Sequence, residues 1–194
     1  MIIDISQEVF SCKVFPGDPA PAMERIKTIG VAGSASNLTA FSMCAHNGTH
    51  VDAPLHFIPE GASIDQVGLE SFVGDCYVGR CEGDVTASDG WRILAEARAA
   101  GAAERILIAG RATVTEEAAR VFAAAGIRLI GNESQTFGPD EDHRTVHQIL
   151  LGAGVVLLEG IVLRDVAPGK YFLSAAPLDL GGCEGAPVRA YLIR

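Results

Sequence analysis

Three of the five histidines in this sequence fall within residues 46–56, together with one aspartate. These four residues are His46, His50, Asp52 and His56. Imidazole nitrogens and carboxylate oxygens are the usual protein ligands of borderline divalent metals such as zinc. A lone histidine would be explained more simply as a hydrogen-bonded residue in a polar turn. Three histidines and a carboxylate at this spacing favour a metal site.

The spacing of His46 and His50 can be tested against regular secondary structure. A helix would place both on one face, as in zinc peptidases, but Gly48 and Pro54 oppose a helix, and the glutamate of the peptidase motif is absent. In a straight strand their α-carbons would lie roughly 13 Å apart at about 3.3 Å per residue, too far to share one ion easily. We therefore expect a loop that bends at Gly48 and presents His46, His50 and Asp52 to one metal.

A second group of potential ligands lies about ninety residues further along the chain. His143 and His147 are the two remaining histidines, and in a helix they would share one face. Glu159 follows four apolar residues that read as a buried strand, and a buried carboxylate is costly unless it is paired or binds a cation. The carboxyl end of a strand is also where open α/β sheets place their sites. The alternative for Glu159 is a salt bridge with Arg164 or Arg189.

The first third of the sequence is predicted to be rich in β-structure. Proline and glycine mark a loop at 16–21, and small residues mark a turn at 30–36. The predicted extended segments are 2–5, 13–15, 23–29, 37–43 and 71–81.

From residue 88 onward, predicted strands and helices alternate. Ser88 is expected to cap the first helix, which would bury Trp91, Leu94, Ala95 and Ala99, and Thr113 with Glu116 forms a capping-box pattern before the second. Alternation implies a partly parallel sheet with crossover helices, so we predict the α/β class with a mixed sheet. The predicted helices are 89–100, 117–125 and 145–152, and the predicted strands are 105–109, 127–130, 155–158, 170–175 and 188–193.

The composition is that of an ordinary globular protein, with 48% hydrophobic and 20% charged residues, and it predicts one domain over residues 1–194. A formal net charge of −9 argues against nucleic acid as a partner and favours a small molecule. The N-terminus lacks the features of a signal peptide. The apolar run at 155–163 is too short for a membrane span and is interrupted by Glu159. We expect a cytoplasmic protein that does not enter a membrane.

The cysteines do not suggest a disulfide framework or a thiolate metal site, because the five form an odd set without a Cys-x-x-Cys pair. Cys44 lies near the histidine cluster, but we expect it to be a neighbour rather than a ligand. The five are Cys12, Cys44, Cys76, Cys81 and Cys183.

Segment 46–56 resembles the H-x-G-T-H-x-D-x-P-x-H signature of the metal-dependent cyclase family, which includes bacterial kynurenine formamidases and isatin hydrolases. The resemblance extends along nearly the whole chain. Residues 15–18 resemble the early W-P-G-D turn of the family, 61–65 its G-x-S-I-D segment, 186–190 its S-P-V-R-A terminus, and His147 with Glu159 its second ligand pair.

The resemblance implies a swivelling β/β/α fold, commonly dimeric, with two divalent ions, usually zinc or manganese. His46, His50 and Asp52 would hold one ion, and Asp52, His147 and Glu159 would hold the other. His56 would be the acid/base residue, whereas His143 has no implied role. The implied ligands are His46, His50, Asp52, His147 and Glu159.

The chemistry implied by this site is hydrolysis of a non-peptide amide C–N bond, as in an aryl formamide or a cyclic amide, by metal-activated water. N-formylkynurenine is one candidate substrate. Phe15, the implied substrate-packing residue, stands where the kynurenine formamidases usually have tryptophan. The sequence at 131–139 also departs from the loop of the family, so we expect a remodelled pocket. The alternatives are a metal-binding protein without turnover and a hydrolase of lactones or other esters.

Overall fold

A computed structural model describes residues 1–139 and 142–194 of the chain. Within these residues it contains thirteen β-strands and three α-helices. The strands are β1 (Ile2–Asp4), β2 (Ala22–Lys27), β3 (Leu38–Ser42), β4 (His50–Asp52), β5 (Val73–Arg80), β6 (Gly83–Val85), β7 (Arg105–Ala109), β8 (Ala112–Val114), β9 (Leu129–Asn132), β10 (Val156–Glu159), β11 (Gly169–Ser174), β12 (Gly185–Pro187) and β13 (Tyr191–Ile193). The helices are α1 (Ala87–Ala99), α2 (Glu116–Ala124) and α3 (Arg144–Gly152).

Nine strands form one mixed sheet in the order β1-β13-β11-β5-β7-β9-β10-β4-β12. The strands β5, β7, β9 and β10 are parallel, as the strand–helix alternation predicts, and the pairings on either side of them are antiparallel. Two smaller two-stranded sheets pair β2 with β3 and β6 with β8. The predicted α/β class with a mixed sheet is confirmed.

The central strand β7 shows how the sequence covers both faces of this sheet. All five of its residues are buried, and successive side chains point to opposite faces. Ile106 and Ile108 belong to a core shared with Leu94 of α1 and Phe122 of α2. Leu107 and Ala109 belong to a second core formed with other strands and loops. The helices therefore cover one face of the sheet, and the other face packs against β-structure.

The first helix begins earlier than predicted, and a different face of it is buried. Its cap is Thr86 rather than Ser88, because the Thr86 hydroxyl accepts the Asp89 N–H at 3.3 Å while the Asp89 carboxylate accepts the Thr86 N–H at 3.1 Å. Of the predicted apolar face only Leu94 is buried, because Trp91 is 53% exposed and Ala95 and Ala99 are also exposed. The buried positions of α1 are Gly90, Ile93, Leu94 and Ala97.

Two further local predictions were wrong. Thr115, not the Thr113–Glu116 pair, caps α2, because Thr113 lies in β8 and its backbone is extended there. Residues 13–15 form no strand; they follow a short 3₁₀ turn at Val9–Ser11. Among the helices that the structure describes, none combines the length and the apolar character that a bilayer crossing requires.

Candidate metal centre

Strand β4 lies at the centre of the candidate site. It pairs antiparallel with β10 on one side and with β12 on the other, and its register places His50 opposite Glu159. Gly48 has a φ of +67°, the left-handed region that favours glycine, so the predicted bend is confirmed. The sequence predicted a loop here, but beyond the bend the chain becomes a buried strand of the main sheet.

The residues around the bend fix it to the end of β10. The Thr49 hydroxyl donates a hydrogen bond to the carbonyl oxygen of Gly160 at 2.8 Å. Gln135 donates from Nε2 to the carbonyl oxygen of Gly48 at 3.2 Å. These contacts join three segments that are distant in sequence. They fix the bend close to the end of β10, and His46 lies just before that bend.

The other four implied metal ligands surround Asp52. Nδ1 of His46 lies 2.9 Å from Oδ1 of Asp52, and Nε2 of His50 lies 3.5 Å from the same oxygen. Nε2 of His147 lies 3.8 Å from the other Asp52 oxygen. Glu159 is 3.3 Å from both His50 and His147, through its two different oxygens. The five side chains that the resemblance groups together do meet in the structure.

The salt bridge considered for Glu159 is not formed in the described residues. Arg189 pairs with Asp4 instead, and Arg164 is exposed. Glu159 is only 2% exposed and faces His50 and His147.

The electrostatics of the centre reflect two buried carboxylates among histidines. Burial opposes ionisation of Asp52, but the hydrogen bond from His46 and the nearby imidazoles outweigh it and lower the Asp52 pKa. Burial likewise opposes protonation of His46, but the hydrogen bonds with Asp52 and Glu184 prevail and raise its pKa to about 9. The pKa values of His50 and His147 are also raised, because the Glu159 carboxylate outweighs the effect of burial.

The donor set fits divalent metal ions. Nε2 of His50 and Oδ2 of Asp52 are buried and make no hydrogen bond with any residue that the structure describes, which is costly without a cation. Two groups of three residues bring their potential ligand atoms within 4.8 Å of one another, and both include Asp52. They are His46 with Asp52 and His56, and His50 with Asp52 and Glu159, a grouping that differs from the one implied by the resemblance.

Each of the three histidines implied as ligands has its second ring nitrogen held by an acceptor. His50 Nδ1 lies 3.1 Å from the carbonyl oxygen of Gly48, and His147 Nδ1 lies 2.8 Å from that of His143. His46 Nε2 lies 3.1 Å from Oε1 of Glu184. Such outer contacts orient metal-binding imidazoles and select their tautomer.

His56 ends a short 3₁₀ helix at Pro54–His56 and lies beside the ligands. Its ring stacks on that of His46 with centroids 4.1 Å apart, and it lies 6.0 Å from the ring of His147. Burial lowers the pKa of His56, and the neighbouring imidazoles add to this effect against the attraction of Asp52. His56 is therefore neutral near pH 7, the form that can accept a proton.

A cavity of about 150 Å³ opens onto the centre. Its wall includes Phe15, which contacts the ring of His143 edge-on at 5.6 Å, and Phe57, which contacts the same ring at 6.0 Å. Gln135 and Thr136 from the 131–139 segment complete the wall. Nδ1 of His143 is buried and makes no hydrogen bond to any residue that the structure describes.

A larger cavity of about 570 Å³ lies at the start of β7 and lacks comparable chemistry. Its buried cation, Arg105, directs its guanidinium to the backbone carbonyls of Ser71 and Asp75 at 3.2 and 3.1 Å. Arg105 therefore holds a loop in place and offers little to a ligand.

The sequence analysis missed several residues of the site. Glu184 lies two positions before the 186–190 segment, in a glycine-rich stretch without periodicity, and Phe57 directly follows the histidine cluster. Cys44, as expected, belongs to neither of the two ligand groups found among the described residues; its Sγ lies 3.9 Å from Asp18.

Residues 3–139 match the model of the Cyclase family, described as "Putative cyclase". A solved "potential metal-dependent hydrolase with cyclase activity" is 27% identical with a TM-score of 0.83, over 99% of this chain and 96% of that one. A "predicted metal-dependent hydrolase" from Bacillus stearothermophilus is 27% identical with a TM-score of 0.81, over 99% and 97%. Isatin hydrolase A from Labrenzia aggregata, bound to benzyl benzoate, is 25% identical with a TM-score of 0.82, over 99% and 93%. These similarities confirm the fold that the motifs implied.

Proposed function

The chain belongs to the Cyclase family, and on this premise we propose that it is a metal-dependent hydrolase that cleaves a non-peptide amide C–N bond. The observation that carries the proposal is the convergence of three histidines and Glu159 on the buried Asp52. The similarity to solved metal-dependent hydrolases supports it. Asp52 Oδ2 and His50 Nε2, buried and without a hydrogen-bond partner among the described residues, have little purpose in an ordinary core.

Zinc or manganese suits this set of imidazole and carboxylate donors. We propose two ions per subunit, because Asp52 belongs to both groups of potential ligands. When bound, divalent ions supply Lewis acidity: they lower the pKa of water toward 7 and polarise a substrate carbonyl. The five ligands would be His46, His50, Asp52, His147 and Glu159.

His56 is the proposed acid/base residue. It is neutral near pH 7, it lies against His46, and it faces the same cavity as the ligands. It can take a proton from the attacking water and return it to the leaving nitrogen, which turns an amide anion into an amine. Its stacking on His46 limits the movement of the ring during both transfers.

The cavity wall favours a substrate with a planar aromatic part. Phe15, Phe57 and His143 present aromatic edges and faces on one side of the opening. We therefore propose an aryl formamide or a cyclic amide as the substrate class, with N-formylkynurenine as one compound to test. The similarity to isatin hydrolase A supports a cyclic amide.

The proposal is tested by elemental analysis of the purified protein followed by a substrate screen. We expect bound zinc or manganese and metal-dependent hydrolysis of at least one formamide or cyclic amide. Turnover of lactones alone would place the protein among ester hydrolases. Failure to take up a transition metal after supplementation would overturn the proposal, and metal uptake without any turnover would favour a metal-binding protein.

A homodimer is also proposed, from the resemblance to the family. Light scattering during size-exclusion chromatography would test it, and a monomer at micromolar concentration would contradict it.

A further inference from the structure

The three histidines proposed as ligands each have one ring nitrogen facing the centre and one facing an acceptor, but the acceptor is not of the same kind in all three. For His50 and His147 that acceptor is a backbone carbonyl supplied by a nearby residue. For His46 it is the carboxylate of Glu184, which lies 138 positions away in the sequence.

The main sheet fixes the position of Glu184. Its carbonyl oxygen accepts the N–H of Ala53 at 2.8 Å, and the next residue, Gly185, pairs with Asp52 across β12 and β4. A Cβ at position 185 would lie 3.0 Å from Cε1 of His46 and 2.7 Å from the carbonyl oxygen of Val51. The absent side chain at Gly185 therefore leaves room for the imidazole beside the carboxylate.

We propose that Glu184 is a positioning residue for the metal centre, an inference that rests on the proposed function. Its carboxylate accepts a hydrogen bond from the Nε2–H of His46, so that when a metal displaces the Nδ1 proton shared with Asp52, the ring stays in the tautomer whose Nδ1 lone pair faces the centre. The negative charge also makes the imidazole a stronger donor to a metal. Without this contact His46 can rotate or take the other tautomer, in which Nδ1 carries the proton.

His46 needs this help more than the other two ligands. It lies before the bend at Gly48, outside β4, whereas His50 lies within that strand and His147 within α3. The side chains of His50 and His147 are 1% and 2% exposed, whereas that of His46 is 13% exposed. A ligand on a turn has fewer neighbours that restrict its ring, so a charged acceptor has more effect there.

The test compares Glu184→Gln and Glu184→Ala with wild type and with Glu60→Gln, which removes one charge from an exposed turn. Metal-free protein is titrated with Zn²⁺ and with Co²⁺ against a chelating dye, and the visible spectrum of the Co²⁺ form is recorded. We expect Glu184→Ala to weaken metal binding by roughly 10- to 100-fold and to change the Co²⁺ spectrum. Glu184→Gln keeps an oxygen that can accept the proton, so its loss should be smaller, and Glu60→Gln should match wild type.

Two results would overturn the inference. Affinities of both Glu184 variants equal to wild type would show that the contact does not matter, and a loss in Glu184→Gln as large as in Glu184→Ala would show that an oxygen acceptor at this position does not orient His46. Recovery of wild-type kcat by both variants at saturating metal would support a positioning role. If wild type itself binds neither ion, the proposed function fails, which is a different outcome from failure of the role of Glu184.

Discussion

The floor and the wall of the cavity are built in different ways. The floor comprises the five implied ligands and His56, and three of them, His50, Asp52 and Glu159, lie on the neighbouring strands β4 and β10, where hydrogen-bonded register fixes their spacing. The wall is supplied by Phe15, Phe57 and the 131–139 segment, which belong mostly to loops. Loops tolerate substitution better than sheet positions do. The contrast suggests that the metal chemistry is set by the sheet and the choice of substrate by the loops.

The largest effect is expected from Asp52→Asn, which removes the charge shared by both groups of ligands. His46 would lose its nearest carboxylate and His50 one of its two neighbouring carboxylates, and metal binding should fall by more than the roughly 10- to 100-fold typical of an outer contact. Metal content by elemental analysis and hydrolysis rates would be measured together. The matched control is Asp84→Asn on the exposed strand β6. Full metal content in Asp52→Asn would contradict the shared-ligand role.

The next largest effect is expected from His56→Ala, which should remove proton transfer and leave the metal ligands of the floor in place. Loss of a general acid/base costs typically about 10²- to 10⁴-fold in rate, so kcat should fall by that range while the metal content is kept. Loss of metal together with activity would instead make His56 a ligand, as its proximity to His46 and Asp52 allows. Unchanged activity would remove His56 from the mechanism.

The stability of the metal-free protein should depend on pH through the histidines of the floor. The pKa of His46 is raised in the folded state from 6.5 to about 9, so its contribution to stability is complete below pH 6.5 and is lost as the pH rises through 9. The raised pKa values of His50 and His147 act in the same direction. The melting temperature of EDTA-treated protein should therefore fall between pH 6.5 and 9.

Bound metal should reverse this trend, because a metal replaces the proton on each ligand and binding releases protons in this range. Calorimetry in buffers of different ionisation enthalpy would measure that release. The control is His46→Gln, which should flatten the pH dependence of the metal-free protein. A melting temperature that rises with pH in metal-free wild type would contradict the assigned directions.

The same contrast explains how much could be predicted from the sequence. His46, His50 and Asp52 lie close together in the sequence, and the bend between them is marked by Gly48, so the floor was accessible to reasoning about spacing. Glu159 was found because a carboxylate after four apolar residues is unusual. The alternation of apolar runs and caps predicted the mixed sheet. Two caps were wrong, because neighbouring threonines and serines offer several caps of similar quality. Most of the predicted buried face of α1 was wrong as well.

Glu184 and the wall could not be predicted in this way. Glu184 reaches His46, 138 positions away in the sequence, only because β12 adds to the edge of β4, a pairing between distant segments that leaves no local pattern. Gln135 lines the cavity because Glu133 anchors its loop by accepting the N–H groups of Gly110 and Leu163 at 2.8 and 2.7 Å. Such contacts between distant segments depend on the complete fold.

The smallest effect is expected at the wall, from Phe15→Leu. The change removes the edge-on contact with His143 but leaves every implied ligand in place. An aromatic substrate should lose roughly 10-fold in kcat/KM, mostly through KM, because one altered apolar contact in a pocket is worth about 1–3 kcal/mol. Metal content and kcat should stay near wild type. Phe172→Leu, an exposed aromatic residue of β11 that does not line the cavity, is the matched control. If Phe15→Leu loses its metal, floor and wall are not independent, and the separation between sheet-borne chemistry and loop-borne specificity fails.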